Sequence, residues 1–211
     1  MNQSRVRIKM CGMTSVQDIE HAVACGVDAI GLIFYSESRR NITIEYAKSL
    51  LSTIPLFVDV VAVMVNPQVA YVEKIINELS VQWLQFHGDE SPEFCAQFKK
   101  PYIKSVAVSR TTIIDETMRL HPKASAILLD TPSLMQRGGT GKVFNWSMIP
   151  SERTKPIILA GGLNASNVKV AVVATSPYAV DVCSGVEKSP GIKDHEQMIK
   201  FVNALRGGLH E

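Results

Sequence analysis

This chain lacks most of the features that place a protein quickly. None of its four cysteines, Cys11, Cys25, Cys95 and Cys183, forms a CxxC pair. None stands at finger-like spacing from a histidine, which argues against a zinc module. No long apolar run is present. The longest, LFVDVVAVMV at 56–65, is about half a membrane span and is broken by Asp59. The opening residues, MNQSRVRIKM, hold no apolar signal region. Charge of one sign is missing too. The net charge is +2 with both signs spread along the chain, which argues against nucleic-acid and membrane-surface partners. No low-complexity segment or short repeat appears. The expectation is a soluble cytoplasmic protein whose cysteines remain reduced.

What is present is alternation. β-rich runs occur at Val6–Met10, Ala29–Phe34, Val58–Val65, Trp83–Phe86, Tyr102–Val106, Ala126–Leu129, Ile157–Leu159 and Tyr178–Val182. Helix-start chemistry stands between many of them: Ser15, Thr43, Asn66-Pro67, Ser91-Pro92, Asn164 and Asp194. The 211 residues divided among eight units leave about 26 each. A strand, a helix and two loops need about 24. Strands alternating with helices imply parallel pairing and right-handed crossovers. The expected fold is α/β, a single parallel eight-stranded (β/α)8 barrel spanning residues 1–211 as one domain. An open doubly wound sheet is the rival, and it would normally carry GxGxxG where this chain has CGMTSV.

Strand alternation then assigns faces. Ile8 and Met10 should pack outward against helices, which turns Arg7, Lys9 and Cys11 inward. The same parity points Gln85, His87, Asp130 and Asp181 inward. Cys11, His87, Asp130 and Asp181 thus gather at the C-terminal rim, where sites on this fold sit. Two glycine-bearing turns follow the seventh and eighth strands, AGGLN and SGVE. Gly161, Gly162, Ser184 and Gly185 there could grip a phosphate through backbone N–H groups. The long connection 131–146 contains GTGK, but a phosphate loop would need Gly at 136 and Ser or Thr at 143. Gln136 and Val143 stand there instead.

KMCGMT at 9–14, QFHGDE at 85–90, LLDT at 128–131, GGTGKVFNW at 138–146, AGGLN at 160–164 and DVCSGVEKSPGIKD at 181–194 resemble the phosphoribosylanthranilate isomerase family. The likeness runs from about residue 6 to residue 206. It implies a (β/α)8 barrel that catalyses an Amadori rearrangement of N-(5-phosphoribosyl)anthranilate in tryptophan biosynthesis. It also implies roles: Cys11 as general base, Asp130 as general acid, and Arg40, beside Arg39, for the anthranilate carboxylate. His87 and Asp181 would line the substrate site, and Gly161, Gly162, Ser184 and Gly185 the phosphate site. This chain departs from the family pattern at Ser36, Phe86 and Cys183; the last takes a position that is usually serine.

That chemistry moves protons only. An acid opens the ribose ring, a base removes the C2′ proton, and the iminium serves as electron sink, so no metal or other cofactor is expected. Asp130 must keep a proton, which an apolar surround including Leu128 would favour. Cys11 must be at least partly thiolate, and Lys9, about 6–7 Å away along the strand, is the expected tuning charge. No apolar surface stripe stands out, so a monomer acting on a small phosphorylated molecule is expected. The rivals are a metal-dependent sugar-phosphate epimerase on the same barrel and a barrel that only binds a metabolite.

Overall fold

Three helices begin as their side chains dictate. Ser15 Oγ accepts the Asp18 N–H at 3.1 Å, Thr43 Oγ1 that of Tyr46 at 3.1 Å, and Ser91 Oγ that of Phe94 at 3.2 Å. A computed structural model describes residues 5–109, 111–131 and 143–207. Its strands are β1 (Arg7–Cys11), β2 (Ala29–Ile33), β3 (Asp59–Met64), β4 (Trp83–Phe86), β5 (Tyr102–Ala107), β6 (Ala126–Asp130), β7 (Ile157–Leu159) and β8 (Ala179–Val182). They pair in parallel in chain order, and β8 closes on β1 through Lys9 opposite Asp181 and Met10 opposite Val182. The helices are α1 (Val16–Ala24), α2 (Ile44–Leu51), α3 (Val69–Glu78), α4 (Pro92–Ala96), α5 (Ile114–Leu120), α6 (Val168–Thr175) and α7 (His195–Arg206). The fold is a closed parallel (β/α)8 barrel, and the doubly wound alternative is excluded.

Two helix starts lie further along than the sequence suggested. α3 begins at Val69, two residues past Pro67, and α6 at Val168, with Asn167 rather than Asn164 as its cap. Asn164 instead folds the preceding turn, its Oδ1 accepting from the Ser166 N–H at 2.9 Å. α5 was not among the helix starts read from the sequence, because its cap, Ile113, has no side-chain acceptor. The GTGK segment lies outside the described residues. A short 3-10 turn (Trp146–Met148) follows it and precedes β7. After β8 a second 3-10 turn (Ser184–Val186) leads into a small antiparallel hairpin, β9 (Glu187–Ser189) and β10 (Ile192–Lys193).

The alternation sorts apolar side chains into two clusters. Ile8, Met10, Leu84, Phe86, Ile127, Leu129, Val180 and Val182 pack between sheet and helices. Val61, Val63, Ile103, Leu128 and Ile158 fill the barrel interior together with Cys11. Both clusters follow from period-two patterning on a sheet covered by helices. At the opposite surface Leu56 and Phe57 stand 86% and 99% exposed before β3, and Phe57 holds a left-handed φ of 69°. Among the described residues no helix is long and apolar enough to cross a membrane.

Candidate active site

Cys11 ends β1 with its side chain inside the barrel and 6% exposure. Room for its sulfur comes from β2: a Cβ on Gly31 would lie 2.6 Å from Cys11 Sγ. Gly12, at φ +73°, then turns the chain away, and a Cβ there would meet Arg40 and Cys183.

Below the thiol, Lys9 and Asp181 form a buried ion pair, Nζ 2.9 Å from both carboxylate oxygens. Burial works against the Lys9 charge, but Asp181 and Cys11 outweigh it and raise its pKa. Burial likewise pushes the Asp181 carboxyl up, to about 7, against the pull of Lys9.

Cys183 directly follows β8, and a second buried cation lies beside both sulfurs. Lys193 Nζ, 0% exposed, donates to the Cys11 carbonyl at 2.6 Å and the Cys183 carbonyl at 3.2 Å. It also donates to Glu187 Oε1 at 2.9 Å and lies 3.9 Å from Cys183 Sγ. Arg40 Nε and Nη2 donate to the two Glu187 oxygens at 2.8 and 2.6 Å, a bidentate pair. Burial opposes the Glu187 charge, yet Arg40 and Lys193 hold it below the usual carboxylate range. The Cys11 thiol is drawn well below its ordinary value of 9.0. The hydrogen bond from Cys183 is the main cause, and Lys9 and Lys193 add to it against the cost of burial. The Cys183 thiol is pushed well above, first by that same bond. Lys9 is therefore one of three influences on Cys11, where the sequence offered it alone.

Asp130 ends β6 on the far wall. Its surround is not apolar: the side chain is 31% exposed, accepts the Thr131 N–H at 2.7 Å, and lies 3.3 Å from His87 Nε2. His87 is oriented from below by Gln85 Nε2, 2.9 Å from Nδ1, with Ser105 Oγ 3.4 Å from Nε2. The loop that carries His87 is tied down by the buried Lys104–Glu90 pair at 2.8 Å.

The two glycine turns lie against their neighbours. Gly161 has φ +80°, and a Cβ there would lie 2.3 Å from the Thr131 nitrogen and 2.8 Å from Asp130 Oδ1. A Cβ on Gly185 would lie 1.9 Å from the Leu163 carbonyl. The turns after β7 and β8 are thus in contact, with Gly162 at φ +69° and Ser184 half-buried beside them. Asn167 Nδ2 donates to the Gly162 carbonyl at 3.0 Å, and no side chain caps the first turn of α6. Among the described residues no group of three His, Cys, Asp or Glu side chains could hold a metal ion.

The family model for N-(5'-phosphoribosyl)anthranilate (PRA) isomerase matches residues 8–204. The chain belongs to that family. A relative from Legionella pneumophila (strain Paris), named N-(5'-phosphoribosyl)anthranilate isomerase, is 56% identical over 207 residues, 98% of this chain and 100% of its own. One from Pseudomonas syringae pv. tomato with the same name is 42% identical over 204 residues, 97% of this chain and 99% of its own. The phosphoribosyl anthranilate isomerase of Thermotoga maritima superposes with a TM-score of 0.89 at 36% identity, covering 96% of this chain and 100% of its own. A phosphoribosyl anthranilate isomerase in complex with reduced 1-(o-carboxyphenylamino)-1-deoxyribulose 5-phosphate superposes at 0.86 and 34% identity, with the same coverage.

On this PRA-isomerase barrel the structure brings Cys11, His87, Asp130 and the glycine turns to one rim with Arg40 beside them, whereas Asp181, expected at the rim, lies below it, level with Lys9 and held by it. A thiolate and a carboxyl on opposite walls can move protons on two sides of one small molecule. The sequence analysis did not assign Lys193, Glu187 or Cys183 to the site. The first two sit on a two- to three-residue hairpin too short to show alternation. Their signal was the EKSPGIK stretch, two ionic residues framing a turn.

Proposed function

We propose that the chain performs its family's reaction, the Amadori rearrangement of N-(5-phosphoribosyl)anthranilate to 1-(2-carboxyphenylamino)-1-deoxyribulose 5-phosphate. The observation that carries the assignment of roles is the unequal treatment of two groups facing each other across the barrel. Cys11 is surrounded by cations and a donating thiol that favour its ionised form. Asp130 faces the same space from the far wall, part-exposed, with His87 Nε2 3.3 Å away as a group that can exchange a proton with it. Asp130 protonates the ribose ring oxygen and opens the ring to the iminium. Cys11 then removes the C2′ proton, and the enolamine tautomerises to the ketone. His87 holds the Asp130 carboxyl in place. Arg40, with two of its donors fixed on Glu187, offers its remaining edge to the anthranilate carboxylate. Backbone N–H groups of the turns containing Gly161, Gly162, Ser184 and Gly185 take the phosphate. We infer also that the protein works as a monomeric single domain in the cytoplasm.

The test is turnover of freshly generated phosphoribosylanthranilate, followed by loss of anthranilate-type fluorescence. Cys11→Ala and Asp130→Ala should each lower kcat by at least ~10²-fold with unchanged circular dichroism. Near-normal turnover in either removes that residue from its role, and an inactive wild type removes the reaction.

A further inference from the structure

The rim around Cys11 holds an uneven set of charges. Three cations converge there: Lys9 from β1, Arg40 from the loop after β2, and Lys193 from β10. Above about pH 7 two carboxylates answer them, Asp181 from β8 and Glu187 from β9. Lys9 and Asp181 engage each other, while Glu187 is shared between Arg40 and Lys193. The other ionisable groups nearby are engaged elsewhere. Asp130 faces His87 across the barrel, and Asp18 of α1 pairs with His195 of α7 and accepts the Lys193 main-chain N–H. One positive charge in the Cys11 cluster is thus left over beside two sulfurs. In a buried site such an excess is costly unless an anion balances it. One thiolate does so, and the Cys183 thiol beside it has that sulfur and Glu187 Oε1, 3.8 Å away, as acceptors.

We propose that Lys193 is a positioning residue for Cys11: it fixes the main chain at both strand-end cysteines and supplies the cation that the thiolate balances. The Lys193 side chain is buried against Cys11, Cys183 and Glu187. It acts through the two carbonyls it holds and through its field. Lys9 acts on Cys11 as well, but Asp181 answers it with two short contacts, whereas Lys193 shares Glu187 with Arg40 and also holds the main chain. The proposal rests on the base role of Cys11 put forward above.

The experiment is a thiolate titration of the full chain by ultraviolet absorbance, taking the difference between each protein and its Cys11→Ser counterpart. It is read without substrate, so its failure is distinct from a failure of turnover. Lys193→Met should raise the Cys11 midpoint by about one pH unit or more. Glu187→Gln should lower it, because three cations would then face one carboxylate. A merely structural role predicts that both variants loosen the site and drift the same way, upward toward the ordinary thiol value. An unchanged or lower midpoint in Lys193→Met overturns the proposal, and so does an unchanged or higher midpoint in Glu187→Gln. If Lys193→Met does not fold, the direction of the Glu187→Gln change decides alone.

Discussion

Cys11 is ionised more readily in the folded barrel than in the unfolded chain, and the sign of that difference sets two pH dependences. The acidic limb of kcat/KM should fall well below the ordinary thiol value, because activity is lost only as Cys11 takes up its proton. A limb at or above pH 9 would contradict the thiolate assignment. Stability follows the same sign. The unfolded thiol holds its proton at a higher pH, so the Cys11 contribution grows as pH rises toward 9 and is lost as pH falls through the folded midpoint. Asp181 works the other way: its carboxyl keeps a proton up to about 7, so its ionisation costs stability between about pH 4 and 7. Strand parity was enough to turn Cys11, His87, Asp130 and Asp181 inward before any coordinates, but parity gives the face and not the height, and Asp181 lies below the rim beside Lys9. It could not show that Asp130 is part-exposed beside His87, because exposure at a strand end depends on loops that parity does not describe.

At the scale of elements, the turns after β7 and β8 depend on missing side chains. Gly161→Ala would strain a left-handed backbone and press on Thr131. Gly185→Ala would drive a methyl into the Leu163 carbonyl. Each should destabilise the fold by about 1–3 kcal/mol. Each should also raise KM more than it lowers kcat, measured by urea unfolding and by steady-state turnover. A change confined to stability would detach the turn from phosphate binding. These glycines were legible in sequence as a pair and a single glycine in successive turns, though their tight contacts with Asp130, Thr131 and Leu163 were not. Helix starts were read correctly where a hydroxyl or carboxylate caps the first turn, at Ser15, Thr43, Ser91 and Asp194. They were misplaced at α3 and α6, where no side chain does.

For the whole molecule, the barrel closes in register and its two apolar clusters leave little large hydrophobic surface at the site. Leu56 and Phe57, outside both clusters, are the most exposed large hydrophobic residues among those described, and the sequence pattern did not mark them. Sedimentation at micromolar concentration should give the mass of one chain. A doubled mass that returns to single in a Leu56→Ser, Phe57→Ser variant would replace the monomer with a dimer seated on that loop.

The bond between Lys193 and the Cys11 carbonyl spans 182 residues. Its consequence concerns time rather than geometry. On the ribosome, β1 and its cysteine emerge well before the cation that balances the thiolate. Seven strands can pair before Cys183 and Lys193 reach Cys11. On the proposed roles, the set of groups that favours the thiolate is complete only once the hairpin after β8 lies against β1, so the reactive group is at its most reactive inside a finished barrel.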